Sequence, residues 1–142
     1  MEPYIKDILS SEYEGKTVIL KGFINSIRKG KNNVFLILRD PTGLLQCVSN
    51  SQEEPFQEAS RVTRESSVEV EGSIRKDERA IGGYELHLKR IKIIGLSEPF
   101  PLKKGHSKVF LFDNRHLWLR SPRVTAIMKI RSTVFEAIHT FF

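Results

Sequence analysis

The order in which this chain changes its hydrophobic period restricts its fold more than any other feature. Three short runs with strand character follow one another, Thr17 to Arg28, Val34 to Arg39 and Leu44 to Val48. Alternating apolar side chains in such runs place every second residue on one face of a sheet. Asp40-Pro41-Thr42-Gly43 separates the second run from the third; proline presets φ and glycine accepts positive φ, so this is a turn and the two runs form a hairpin. The period then changes. Between Glu53 and Thr63, Phe56, Ala59 and Val62 recur every three residues, with Pro55 suited to a first helical turn and acids at its start, which predicts a short helix. Alternation returns with Val68, Val70, Gly72 and Ile74, and again from Tyr84 to Ile94 after a loop at 77–83.

Strand, strand, strand, helix, strand, strand is the order of an all-β, five-stranded oligonucleotide/oligosaccharide-binding (OB) barrel with a short helix between its third and fourth strands. Other small barrels share this order. Gly22 and Gly72, inside the first and fourth strands, would supply the bends that closure needs. The barrel is expected over residues 1–95. Residues 96–116 contain Pro99, Pro101 and Gly105 without a period and read as a linker packed along the barrel. Ser121-Pro122 then offers a helix start, and Val124, Ile127, Met128, Val134, Phe135, Ile138, Phe141 and Phe142 mark a helical apolar face. A pattern that stops on Phe141-Phe142 reads as cut from something longer, or as a helix folding back on the barrel.

Composition removes several classes of function. With 142 residues and 39% hydrophobic content there is matter for one core and not for two full domains. No run approaches the roughly 20 apolar residues of a membrane span, and the N-terminus lacks the layout of a secretory signal; a cytoplasmic protein is expected. A single cysteine, Cys47, and four scattered histidines exclude an internal disulfide and make a metal site unexpected. The net charge of +6 is unevenly spread: Lys21, Arg28, Lys29, Lys31 and Arg39 occupy a stretch without acids, whereas 53–71 holds six glutamates against two arginines. Segregated charge fits either a nucleic-acid face or ordinary solvated loops.

Alternation assigns faces. If Leu36 and Leu38 point into the barrel, then Phe35, Ile37 and Arg39 point out; on the next strand Leu45 and Cys47 point in and Gln46 out. An exposed aromatic, an amide and the cations Arg28, Lys29 and Lys31 would then converge. Such a set suits a splayed single-stranded nucleotide, with the base stacked on the ring, the amide on a base edge and the cations on phosphates. A register slip of one residue would exchange the faces and bury Phe35. Nothing points to catalysis: His87, His106 and His139 have no nucleophile or carboxylate at a telling spacing, Cys47 reads as a small core residue, and Gly82-Gly83 lies in a turn, not in a phosphate loop.

Gly22-Phe23-Ile24 to Arg28, the run Phe35 to Asp40, Thr42 to Val48, Glu65 to Gly72, Asp77 to Ala80, Gly82-Gly83 and Asn114 to Arg120 together resemble the N-terminal anticodon-binding domain of asparaginyl-tRNA synthetases of the archaeal and eukaryotic type. Aspartyl-tRNA synthetases are the near neighbours. The resemblance implies that Phe35 stacks on the central anticodon base, that Gln46 hydrogen-bonds to the anticodon and that Arg28 contacts its loop. The two cognate anticodons differ only at the third base, uracil for asparagine and cytosine for aspartate, and the loop from Arg75 to Gly83, with Lys76 and Arg79, is the region expected to tell them apart or else to screen phosphates. Residues 117–142 resemble the opening of the class II catalytic domain, with a truncated motif 1 helix that forms the homodimer interface in the family. The resemblance further implies that the parent enzyme uses ATP and magnesium to join asparagine to its tRNA, while this chain by itself binds the tRNA anticodon loop, carries no cofactor and is inactive. The alternatives are the corresponding module of an aspartyl enzyme, a general single-stranded nucleic-acid binder, and a barrel that serves protein interaction.

Overall fold

A computed structural model describes residues 3–10, 12–102 and 105–142. The chain divides into two compact units, residues 1–100 and 101–142.

The first unit is a closed five-stranded barrel. Its strands are β1 (Thr17–Lys29), β2 (Asn33–Arg39), β3 (Leu44–Asn50), β4 (Ser67–Lys76) and β5 (Tyr84–Gly95), in the spatial order β1-β2-β3-β5-β4. All neighbours are antiparallel except β3 and β5, which run parallel and close the ring. Closure leaves no sheet edge. The expected alternation sets the interior: Leu20, Ile24, Leu36, Leu38, Leu45, Cys47, Val68, Val70, Ile74 and Leu86 are buried in one cluster. Phe35, Ile37 and Arg39 are only partly covered, so the register that puts Phe35 outside holds. Gly22 and Gly72 are close approaches of backbone, since a Cβ on either would run into a neighbouring carbonyl, that of Arg39 and that of His87 respectively.

Three local features differ from the sequence reading. A four-residue helix, α1 (Ile5–Ile8), precedes the barrel and buries Ile5 and Ile8 in the core. Its start is held from afar: the Asp40 carboxylate accepts from the Ile5 amide at 2.7 Å and also from the amides of Thr42 and Gly43. Burial works against ionisation of Asp40, but these bonds outweigh it and hold the carboxyl below its ordinary range. The helix after β3, α2 (Phe56–Arg61), is shorter than Glu53 to Thr63. Glu53 turns back instead, accepting from the backbone and side-chain nitrogens of Asn50, and so makes a turn ahead of the helix. Ala59 and Val62 are buried, as the threefold spacing requires.

The third difference corrects the reading of 96–116 as an irregular linker. The second unit holds α3 (Lys108–Asp113), α4 (Arg115–Trp118) and α5 (Pro122–Phe141), and the first of these, with the start of the next, falls inside that stretch. Ser107 caps α3 by accepting from the Phe110 amide, a side-chain bond that starts a helix too short to show a hydrophobic period. Pro122 opens α5 at its first position after Ser121. Among the described residues of α5 none is buried. No helix is long and apolar enough to cross a membrane, among the described residues.

Candidate nucleic-acid interface

The outer surface of the barrel carries two rows of side chains that cross all five strands. One runs Ser26, Ile37, Gln46, Glu85, Arg75 and the next runs Arg28, Phe35, Val48, His87, Ser73, each residue paired in register with the one beside it. Gln46 therefore stands diagonal to Phe35, opposite Ile37. A diagonal neighbour on the same face remains within reach of an aromatic ring.

Ser26, Ile27, Arg28, Phe35, Ile37, Gln46, Asp77 and Arg79 line one open cleft of about 480 Å³. Of the residues singled out in the sequence, Phe35, Gln46, Arg28 and Arg79 meet there. Lys29 ends β1, Lys31 is exposed in the loop beyond it, and Arg75 and Lys76 are exposed at the end of β4; these four are not among the residues that line the cleft. The Arg28 guanidinium lies 4.6 Å from the centre of the Phe35 ring and covers one of its faces by a cation–π contact. Arg79 grips Asp77 with Nε at 3.1 Å and Nη2 at 2.9 Å. Its side-chain bond, and then its backbone amide, pull the Asp77 carboxyl below the usual carboxylate range. Gly82 has φ 79° and packs where a Cβ would crowd Leu9, so this glycine fixes the β4–β5 loop at the mouth of the cleft.

Sequence reasoning missed Glu85. Its Oε2 accepts from Gln46 Nε2 at 2.9 Å, its Oε1 meets His87 Nε2 at 2.7 Å, and the residue is buried. The alternation Tyr84, Glu85, Leu86, His87, Leu88 leaves His87 on the outer face as read, though bonded and not free in solvent. That Glu85 lies beside Gln46 depends on the parallel β3–β5 pairing, which has no local signature. Burial, and next the charge of Glu85, push the Cys47 thiol up to about 12, which suits a core residue and not a nucleophile. Among the described residues no group of three or more His, Cys, Asp or Glu could hold a metal ion.

The family model for the OB-fold nucleic acid binding domain of the tRNA anticodon type matches residues 18–94, more than half of the chain. The chain belongs to that family. An asparagine–tRNA ligase from Symbiobacterium thermophilum is 43% identical over 134 residues, covering 92% of this chain and 31% of its own length. The crystal structure of asparaginyl-tRNA synthetase from Pyrococcus horikoshii with asparaginyl-adenylate superposes with TM-score 0.88 at 35% identity, over 99% of this chain and 34% of that one. Aspartyl-tRNA synthetase from Entamoeba histolytica superposes with TM-score 0.85 at 22% identity and shares the fold. The chain thus spans about a third of the length of the curated relatives it matches. In this chain the cleft gathers a ring, an amide and two guanidiniums from β1, β2, β3 and the loop after β4.

Proposed function

We propose that this chain reads the anticodon of asparagine tRNA as the N-terminal module of an asparagine–tRNA ligase. The observation that carries the reading is the convergence of Phe35, Gln46, Arg28 and Arg79 on one open cleft. A base stacked on Phe35 gains about 1–3 kcal/mol whatever its identity, Gln46 supplies a donor and an acceptor to a base edge, and the guanidiniums neutralise phosphates. In this reading the free face of Phe35 takes the central anticodon base, Arg28 braces the ring from behind, and Lys29 and Lys31 hold the backbone of the loop. Arg75, Lys76 and Arg79 act at the third base. Arg79 suits that work because Asp77 takes its Nε and one Nη2 proton and leaves Nη1 to donate.

The whole enzyme, in the same reading, is a cytoplasmic ligase that consumes ATP with magnesium, forms asparaginyl-adenylate and passes the asparaginyl group to the tRNA. Those steps belong to the part of the relatives that this chain does not span. Dimerisation through α5 is part of the proposal, supported by its exposed apolar residues Ile127, Ile130, Val134 and Ile138.

Fluorescence anisotropy with two anticodon stem-loops, identical except for uracil or cytosine at the third anticodon position, tests the reading at fixed moderate salt. A preference for uracil of about 1–3 kcal/mol is expected. Equal binding to both, with loss on changing the central base, would assign the module to an aspartyl-type or relaxed reader; equal binding to any single strand would make it a general binder.

A further inference from the structure

We propose that the loop between α2 and β4 is a latch that grips the chain as it leaves the barrel, so that residues 97–100 move as part of the barrel and bending begins only after Phe100. The latch lies outside the cleft and works whatever the cleft binds.

The loop is itself anchored. Glu65, in its middle, has φ 69°, a left-handed conformation that a residue other than glycine keeps only where its surroundings impose it. Here they do. Its side chain is 2% exposed, its carboxylate takes both arms of Arg39 at 3.1 and 2.7 Å, and its amide donates to the Ile24 carbonyl at 2.6 Å. The Ile24 amide donates in turn to the Ser66 carbonyl at 3.0 Å. Ile24 belongs to β1 and to the core, so two successive residues of the loop are fixed to the barrel wall.

Thr63 and Ser66 turn their hydroxyls on the departing chain. Thr63 Oγ1 donates to the Ser97 carbonyl at 2.7 Å, and Ser66 Oγ accepts from the Ser97 amide at 3.0 Å. The two hydroxyl oxygens are 2.8 Å apart. Because the single proton of Thr63 is committed to Ser97, Ser66 is the donor between them. A closed ring results, from the Ser97 amide through Ser66 and Thr63 back to the Ser97 carbonyl, in which each bond polarises the next. Both backbone groups of Ser97 are satisfied as a neighbouring strand would satisfy them, although β5 ends at Gly95.

Beyond Ser97 the chain is stiff by its own chemistry. Pro99 and Pro101 fix φ on either side of Phe100, and a residue before proline is confined to extended backbone. Arg64, from the same loop, lays its guanidinium 4.5 Å from the centre of the Phe100 ring. One grip on a stiff segment would leave a swivel; two, at Ser97 and at Phe100, set a direction. The barrel's own side chains thereby decide how the chain departs.

Nuclear magnetic resonance of the full chain tests this through amide order parameters and exchange rates at Ser97, Glu98 and Phe100. In the wild type these amides should be as rigid as those of β1 to β5, with order parameters of about 0.85. Thr63→Val combined with Arg64→Ala removes both grips while keeping the shape of Thr63. Exchange at Ser97 should rise about tenfold or more, and the order parameter of Phe100 should fall to about 0.6 or below, with the strand amides unchanged. Thr63→Ser alone keeps the hydroxyl and should behave as the wild type. If residues 97–100 stay rigid in the double variant, the prolines stiffen the segment unaided and the latch is overturned. Faster exchange spread evenly over the barrel overturns it too, since Thr63 would then only support the fold. Should the double variant not fold, the hydroxyl protons of Thr63 and Ser66 in the wild type decide: separate, slowly exchanging signals are expected, and rapid averaging with water would overturn the ring.

Discussion

The barrel and the helical segment that follows it are both written in amphipathic sequence, and only the barrel buries its apolar face. Leu36, Leu38 and Leu45 are fully covered, whereas Ile127, Ile130, Val134, Phe135 and Ile138 on α5 are all exposed. The difference is one of closure. A strand satisfies its hydrogen bonds only by pairing, so five strands that pair into a ring enclose their inner side chains as a consequence. A helix satisfies its bonds internally and can form with its stripe uncovered, at the cost of depending on a partner for most of its stability. The barrel is therefore a scaffold that holds a cleft by itself, whereas α5 leaves its apolar face uncovered.

Leu36→Ala should break the barrel side of this comparison hardest. It removes a fully buried side chain, and a loss of about 2–5 kcal/mol is expected in urea unfolding followed by near-ultraviolet dichroism. Arg39→Met comes next. Glu65 is 2% exposed in its side chain and receives both arms of Arg39, at 3.1 and 2.7 Å. Its carboxylate would lose its guanidinium, for about 3 kcal/mol.

Phe35→Ala moves the test from scaffold to cleft. The ring stands outside the core, so the melting temperature should change little while stem-loop affinity falls by about 1–3 kcal/mol; a collapsed melting temperature with unchanged affinity would put the ring in the core after all.

Asp40→Asn should cost on the order of 1 kcal/mol at neutral pH, as a hydrogen-bonded carboxylate is replaced. The folded pKa of Asp40 lies below its ordinary 3.8, so its stabilisation is present above that value and is lost as pH falls through the folded pKa. The gap between variant and wild type should accordingly close in urea titrations carried from pH 5 to below 4. Smallest of all, at a dilution where the chain is monomeric, Ile130→Ala on α5 should stay within about 0.5 kcal/mol, and amides in 122–141 should exchange far faster than those of β1 to β5. Slow exchange there would show that the helix is covered after all.

Much of the fold was legible because its code is local. Period-two alternation put Leu36 and Leu38 inside and Phe35 outside, the Asp40–Gly43 turn joined β2 to β3, and threefold spacing found the helix that buries Ala59 and Val62. Helix α1 escaped notice because four residues cannot display a period, although Asp7 accepts from the Tyr4 amide at its start. The helix at Lys108–Asp113 escaped for the same reason.

The amino-acid sequence by itself determined the succession of elements along the chain, the alternation of side chains between two faces and the chemical kinds available to the cleft, since each depends on residues within a few positions of one another. Only the tertiary structure decided which of them meet. Gln46 and Glu85 are 39 positions apart and become neighbours because β3 and β5 close the ring in parallel. Arg79 reaches the cleft because Asp77 and the pinned loop aim it there, and Lys31, equally basic, does not. Ring closure joins residues through the register of several strands at once, and no local period carries that information.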